Sequence, residues 1–263
     1  TTPDGDEYGQ TSDIIATVNP ESRRLDQAGV GFFRADGDET MKLAFEEAVR
    51  AVELRYPIWE PGHIDVSFGE KFDSHAGPSA GTAFGLLVLS TLEGFEIDRK
   101  GAVTGDISAD WRVREVGGIT AKVRGAALDK CLYAAIPEAN EEAIEDMALL
   151  NGQQSLWGIQ IFSISTLQEA VSVVRRDRSA QLKQAIDEFS ELQARAATEP
   201  ELLGQVGVRE KLKHILQLAP NHLSAKYLLA FAEGTARKEL SAAASEYYLS
   251  IILSHYRVLF GAG

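Results

Sequence analysis

Apolar positions along the chain follow one rhythm up to about residue 176 and another beyond it. Ile14–Val18, Val30–Arg34 and Ile64–Phe68 read as strands, the last with Ile64, Val66 and Phe68 on one face. Between them Met41, Ala44, Ala48, Val49 and Val52 recur at helical spacing, with Asp38 placed to cap the helix and Tyr56-Pro57 to end it. Ala102–Thr104, Tyr133–Ile136 and Gly158–Ile164 predict further strands. Short strands alternating with helical stretches from Ile14 to about Val174 predict a mixed α/β (α+β) domain.

After Arg175-Arg176 only the helical period remains: Leu182, Ile186, Phe189 and Leu192 form a stripe, and no strand pattern follows. Val208–Leu218, the turn Ala219-Pro220-Asn221-His222 and Ser224–Glu233, closed by Gly234, predict a helical hairpin. Ala225, Leu228, Leu229 and Ala232 mark its second inner face. The hairpin resembles a single tetratricopeptide-type unit, and it reads equally as a helical appendage packed on its neighbour. The expected organisation is a flexible N-terminal segment over 1–12, an α/β domain over 13–176 and a small all-α domain over 177–263.

Composition narrows the function classes. Hydrophobic residues make up 44% and charged residues 25% of 263, close to the averages for globular proteins, so neither disorder nor a fibrous architecture is suggested. The net charge of −13 argues against a nucleic-acid partner, since phosphate binding needs a surplus of Lys and Arg. No run approaches the about 20 apolar residues that cross a bilayer, so no membrane insertion is expected. One cysteine, Cys131, forms no intrachain disulfide and no cysteine-rich zinc site, which fits a reducing interior such as the cytoplasm. Thr1–Thr11 is polar, with neither an initiator Met nor a signal-peptide pattern, and reads as a start inside a longer product.

Two segments carry candidate chemistry. Gly77-Pro78-Ser79-Ala80-Gly81 precedes a helical stretch, Thr82–Leu92, whose Ala83, Leu87, Val88 and Leu92 fit a buried side. A serine in a Gly-rich turn before a helix has its hydroxyl on a constrained backbone beside unpaired first-turn amides, which suit an oxyanion. Gly-Pro-Ser turns are also ordinary helix starts. The run Val116–Val123 opens a second helix in which Ile119, Val123 and Ala126 share a face and Lys122 lies on or beside it. A buried lysine is disfavoured as an ammonium ion and becomes a base near neutrality; the alternative is a lysine that reaches solvent or pairs with Asp106 or Glu115. Thr104-Gly105-Asp106 ends a strand between the two helices, where the Thr104 hydroxyl is placed to orient the amine.

Gly77-Pro78-Ser79-Ala80-Gly81, Thr104-Gly105-Asp106-Ile107-Ser108, Trp111-Arg112-Val113 and Val116-Gly117-Gly118-Ile119 occur in order, with Lys122 following Ser79 by 43 residues and Thr104 following it by 25. Together they resemble the proteolytic domain of the Lon proteases, a family of serine-lysine peptidases. The resemblance is strongest over Ile64–Pro137, extends over Ile14–Val174 and is absent from the helical tail. It implies a Lon-type fold and a serine endopeptidase in which Ser79 is the nucleophile, Lys122 the general base and Thr104 its positioning partner. Gly77, Pro78 and Ala80 would form the oxyanion and substrate loop. Family members usually carry an acidic residue two places before the motif's proline, where this chain has Ala76, preceded by His75.

No cofactor or metal is expected: His63, His75, His214, His222 and His255 lack ligand spacing, and Gly29, Gly31 and Gly37 make no nucleotide fingerprint. The chain has no phosphate-binding loop, so the resemblance implies ATP-independent cleavage of unfolded or partner-presented proteins, alone or beside a separate unfoldase. Partners are then a protein or peptide substrate, a regulatory protein held by the helical tail, and further copies in the six-membered ring common in the family. The other class of reading is a non-catalytic Lon-like scaffold that binds a protein through its tail.

Overall fold

The computed structural model describes residues 9–19, 31–32, 39–56, 63–68, 77–199 and 201–260. The strand expected over Val30–Arg34 appears there as Gly31–Phe32 only; Val30, Phe33, Arg34, the cap at Asp38, and His75 and Ala76 lie outside the described residues.

Three small sheets form. β1 (Ile14–Asn19), β2 (Gly31–Phe32) and β3 (His63–Phe68) make the first, in the order β1-β3-β2. β1 runs antiparallel to β3, with Ile14 opposite Phe68, and β2 runs parallel to it. Helix α1 (Glu39–Arg55) and helix α2 (Gly81–Glu93) pack beside it. All five apolar positions expected inside α1 are buried, and Phe45 meets the Phe84 ring edge to face at 5.2 Å.

α2 departs from its expected face. Its deepest side chains are Phe84, Leu86, Val88 and Leu89, whereas Ala83, Leu87 and Leu92 are half-buried. The reason is that α2 is covered on more than one side, by α1, by β1 and by a helix introduced below, so a single stripe cannot describe it.

The second sheet is parallel. β4 (Gly101–Val103) leads to the hairpin β5 (Asp106–Ile107) and β6 (Val113–Arg114), then to helix α3 (Ile119–Leu128) and β7 (Tyr133–Pro137). Helices α4 (Glu141–Asn151) and α5 (Gln154–Trp157) precede β8 (Gln160–Ile164). The order is β4-β7-β8, and α6 (Leu167–Val174) returns across α2. β7 and β8 are buried at every position, as expected for parallel strands covered on both faces.

Only helices follow: α7 (Ala180–Ala196), α8 (Val206–Leu218), α9 (Leu223–Glu233) and α10 (Ala242–Phe260). Leu182, Ile186, Phe189 and Leu192 are buried as their spacing predicts, and Ala225 and Leu228 of α9 join the same continuous core as the α/β part. The join is polar as well as apolar. Asn221 and Ser224 bond the backbone of β8 and its approach, with Ser163 N–H donating to Asn221 O at 2.9 Å and Ile161 N–H to Ser224 Oγ at 3.0 Å. Between them His222 is fully buried against the Phe162 and Phe189 rings, each 4.5 Å away. Its Nδ1 accepts from Ala225 N–H, capping α9, which leaves Nε2 as the protonated nitrogen facing Gln160 Oε1 at 3.1 Å. Burial pushes this imidazole down to about 3, so it is neutral.

Candidate active site

The backbone at Ser79 is held from both sides. Pro78–Ala80 forms one turn of 3₁₀ helix that runs directly into α2. The turn begins at Gly77, whose φ of 91° is a conformation that only glycine adopts without strain. Gly77 N–H is anchored to the Thr40 hydroxyl in the first turn of α1, at 3.1 Å. Pro78 is exposed, and Ala80, the residue capping α2, is half-buried.

The Ser79 carbonyl accepts two hydrogen bonds, from Gly105 N–H at 2.9 Å and from the Thr104 hydroxyl at 3.2 Å. In return Thr82 N–H donates to Gly105 O at 2.9 Å. The end of β4 and the start of α2 are thus laced together across 25 residues of sequence. Gly105 is required here: its φ is 151°, and a Cβ would lie 2.6 Å from Val113 Cγ1 and 2.7 Å from Thr82 Oγ1. Sequence reasoning noticed Gly105 only as a neighbour of Thr104, because nothing local signals that its amide holds the serine turn.

First-turn amides of α2 are partly committed. Gly81 N–H goes to Pro78 O and Thr82 N–H to Gly105 O. Just ahead of them stand the Ser79 and Ala80 amides, the candidates for receiving an oxyanion.

Lys122 follows the β5–β6 hairpin, in the first turn of α3, half-buried, with its N–H on Gly118 O at 3.0 Å. Ile119, Val123 and Ala126 are buried as their spacing predicts, while Arg124 and Lys130 are exposed. α3 starts from Gly118, which has φ 65° and supplies no side-chain cap. Its approach is locked instead by Asn140, which accepts from Val116 N–H at 3.0 Å and donates to Val116 O at 3.1 Å. Asn140 lies 24 residues away, and no sequence signal pointed to it.

Asp106, one of the two carboxylates weighed as a partner for Lys122, is engaged by Arg114 at 2.7 Å and by its neighbour's amide, Ile107 N–H, at 2.8 Å. Arg114 also reaches Glu47 at 3.2 Å, tying the hairpin to α1. Trp111, at the hairpin's tip, has φ 69° despite its side chain; Nε1–H donates to Ala51 O at 2.8 Å, and the Arg55 guanidinium lies over the ring at 4.7 Å. Among the described residues no group of three or more His, Cys, Asp or Glu is arranged to hold a metal ion, and no helix is long and apolar enough to cross a membrane.

Residues 43–175 match the family described as the Lon protease (S16) C-terminal proteolytic domain. The archaeal Lon protease of Archaeoglobus fulgidus is 26% identical over 196 residues, covering 73% of this chain and 30% of that protein. Lon protease 2 of Bacillus subtilis is 30% identical over 112 residues, 43% of this chain and 18% of its own length. The Lon protease of Paraburkholderia phytofirmans is 30% identical over 159 residues, 57% of this chain and 19% of its own. The chain therefore spans less than a third of each of these relatives.

Proposed function

Because the chain belongs to the family of the Lon protease (S16) C-terminal proteolytic domain, we propose that it is a serine endopeptidase working through Ser79 and Lys122. The observation that carries this reading is the double hold on the Ser79 carbonyl by Thr104 and Gly105, which fixes the serine at the mouth of α2. Such a hold has a catalytic use, since a nucleophile displaced by about 1 Å loses roughly 10²-fold in rate.

Ser79 Oγ attacks the scissile carbonyl carbon as its proton passes to the uncharged Lys122 amine. The negative charge on the former carbonyl oxygen is received by the Ser79 and Ala80 amides. Collapse breaks the C–N bond, and the leaving amine takes the proton back from Lys122. Water then attacks the acyl-serine with Lys122 again as base; the bond from the acyl carbon to Ser79 Oγ breaks, Lys122 returns the proton to Oγ, and the acid product leaves. Thr104 would act on both partners: its O–H steadies the Ser79 carbonyl, which leaves its oxygen as the acceptor that would orient the lysine N–H.

The substrates of this reading are unfolded or partner-presented proteins, cut without ATP, in the cytoplasm and in a ring of identical copies. The test is cleavage of casein by the purified chain. Ser79→Ala should lower it by at least about 10³-fold, and Lys122→Ala by about 10²–10⁴-fold. A peptide boronate should attach at Ser79. Casein cleavage equal in Ser79→Ala and parent would end the peptidase reading and favour the scaffold.

A further inference from the structure

Residues 9–11 run along α3. Gly9 lies so close that a Cβ there would strike the Ala121 carbonyl and approach the Lys122 Cα. One turn on, a Cβ at Gly125 would overlap the Gly9 carbonyl and press on the Gln10 amide. A further turn on, Asp129 Oδ2 accepts from Thr11 N–H at 2.9 Å and from the Thr11 hydroxyl at 2.6 Å. Ala121, Gly125 and, at the C-cap, Asp129 are four apart and so continue one stripe of α3 to its end. Ala121 and Gly125 are buried beneath the passing chain, and Lys122 adjoins the stripe.

This contact is not needed to bury the helix, whose apolar stripe of Ile119, Val123 and Ala126 is already in the core. What α3 lacks is rigidity of its own. It has ten residues, a glycine in its interior and no side-chain cap at its start, and helices that short are marginal without tertiary support. Asn140 holds its approach; the segment Gly9–Thr11 holds its length.

We infer that Gly9–Thr11 is a positioning strap for Lys122, fastening α3 beside the lysine so that its amine is held to serve Ser79. This inference rests on the serine-lysine reading above. Gly9 and Gly125 are both glycine because backbone lies on backbone, and Thr11 is the pin.

The experiment uses the full chain with Gly125→Ala, Thr11→Val and Thr11→Ser. Alanine is the better helix former, so Gly125→Ala displaces the strap without weakening α3, and Thr11→Val removes the hydroxyl while keeping its shape. Two quantities are measured: kcat and KM for casein, and the rate at which limiting acetic anhydride modifies Lys122, followed by peptide mass spectrometry. Gly125→Ala and Thr11→Val should each lower kcat by about 10–10²-fold with KM unchanged and raise the modification rate several-fold. Thr11→Ser should match the parent in both. Modification rates for Gly125→Ala and Thr11→Val equal to the parent's would overturn the strap, as would Thr11→Ser behaving like Thr11→Val. Should the parent prove inactive, a raised modification rate in Gly125→Ala would still support the strap while the hydrolytic reading falls.

Discussion

Gly105→Ala isolates the join between β4 and the serine turn. At a φ of 151° a side chain is strained, which costs about 1–3 kcal/mol. The added methyl would also stand 2.6 Å from Val113 Cγ1 and 2.7 Å from Thr82 Oγ1, and overpacking of this kind costs about 1–3 kcal/mol more. The sum, roughly 2–6 kcal/mol, is a large share of a typical domain's stability of about 5–15 kcal/mol. Part of the strain should be relieved by moving the Gly105 amide, and with it the Ser79 carbonyl that it holds. A 1 Å shift at Ser79 predicts about a 10²-fold slower boronate attachment and a similar fall in kcat. Denaturant unfolding and the rate of labelling at Ser79 measure the two effects separately. Gly117→Ala is the control, because nothing lies within 4 Å of its Cβ. A Gly105→Ala protein as stable as Gly117→Ala, labelled at the parent's rate, would refute the role assigned to this glycine.

Three other outcomes are expected. His222 is held neutral with its titration pushed down to about 3; below the ordinary value of 6.5 the unfolded chain binds a proton that the native chain refuses. The stability it contributes is whole above pH 6.5 and falls by about 1.4 kcal/mol per unit on acidification towards 3. Thermal melts should show this slope in the parent, and His222→Asn should flatten it; equal slopes would contradict the burial argument. Asn140→Ala should cost about 1–2 kcal/mol through the two Val116 bonds and lower kcat more than it changes KM, as read from unfolding curves and casein kinetics. Trp111→Phe leaves the Ala51 carbonyl without its indole donor and should cost about 1–3 kcal/mol, measured as a shift of the denaturant midpoint.

The parts of this protein that could be read in advance were those written locally. The stripe of α1, the buried face of α3 and the helical period after Arg176 all follow from side-chain spacing, and spacing reports which face turns inward. It does not report what lies opposite. That is why α2, covered on several sides, was assigned too narrow a face, and why β5 and β6, two residues each, left no pattern to detect. The serine turn and the lysine helix were legible as motifs. Their supports were not, because Gly105, Asn140 and Thr11 act through bonds to residues 23 or more positions away. His222 was set aside for lacking metal spacing, yet it is the residue around which the tail is docked; only its place just before a helix, after a Pro-Asn turn, hinted at a cap.

The docking of Asn221–Ser224 onto β8 also bears on how the chain tolerates being shortened. β8 is the last strand of its sheet, and the groups that Asn221 and Ser224 engage are those that an outermost strand otherwise offers to strangers. A fragment ending at Arg176 would present that row bare, together with the apolar surface beneath α7 and α9, as a template for strand addition by its own kind. It should scatter light at concentrations where the longer chain stays clear, the helical tail then serving as a sheath for the sheet's edge.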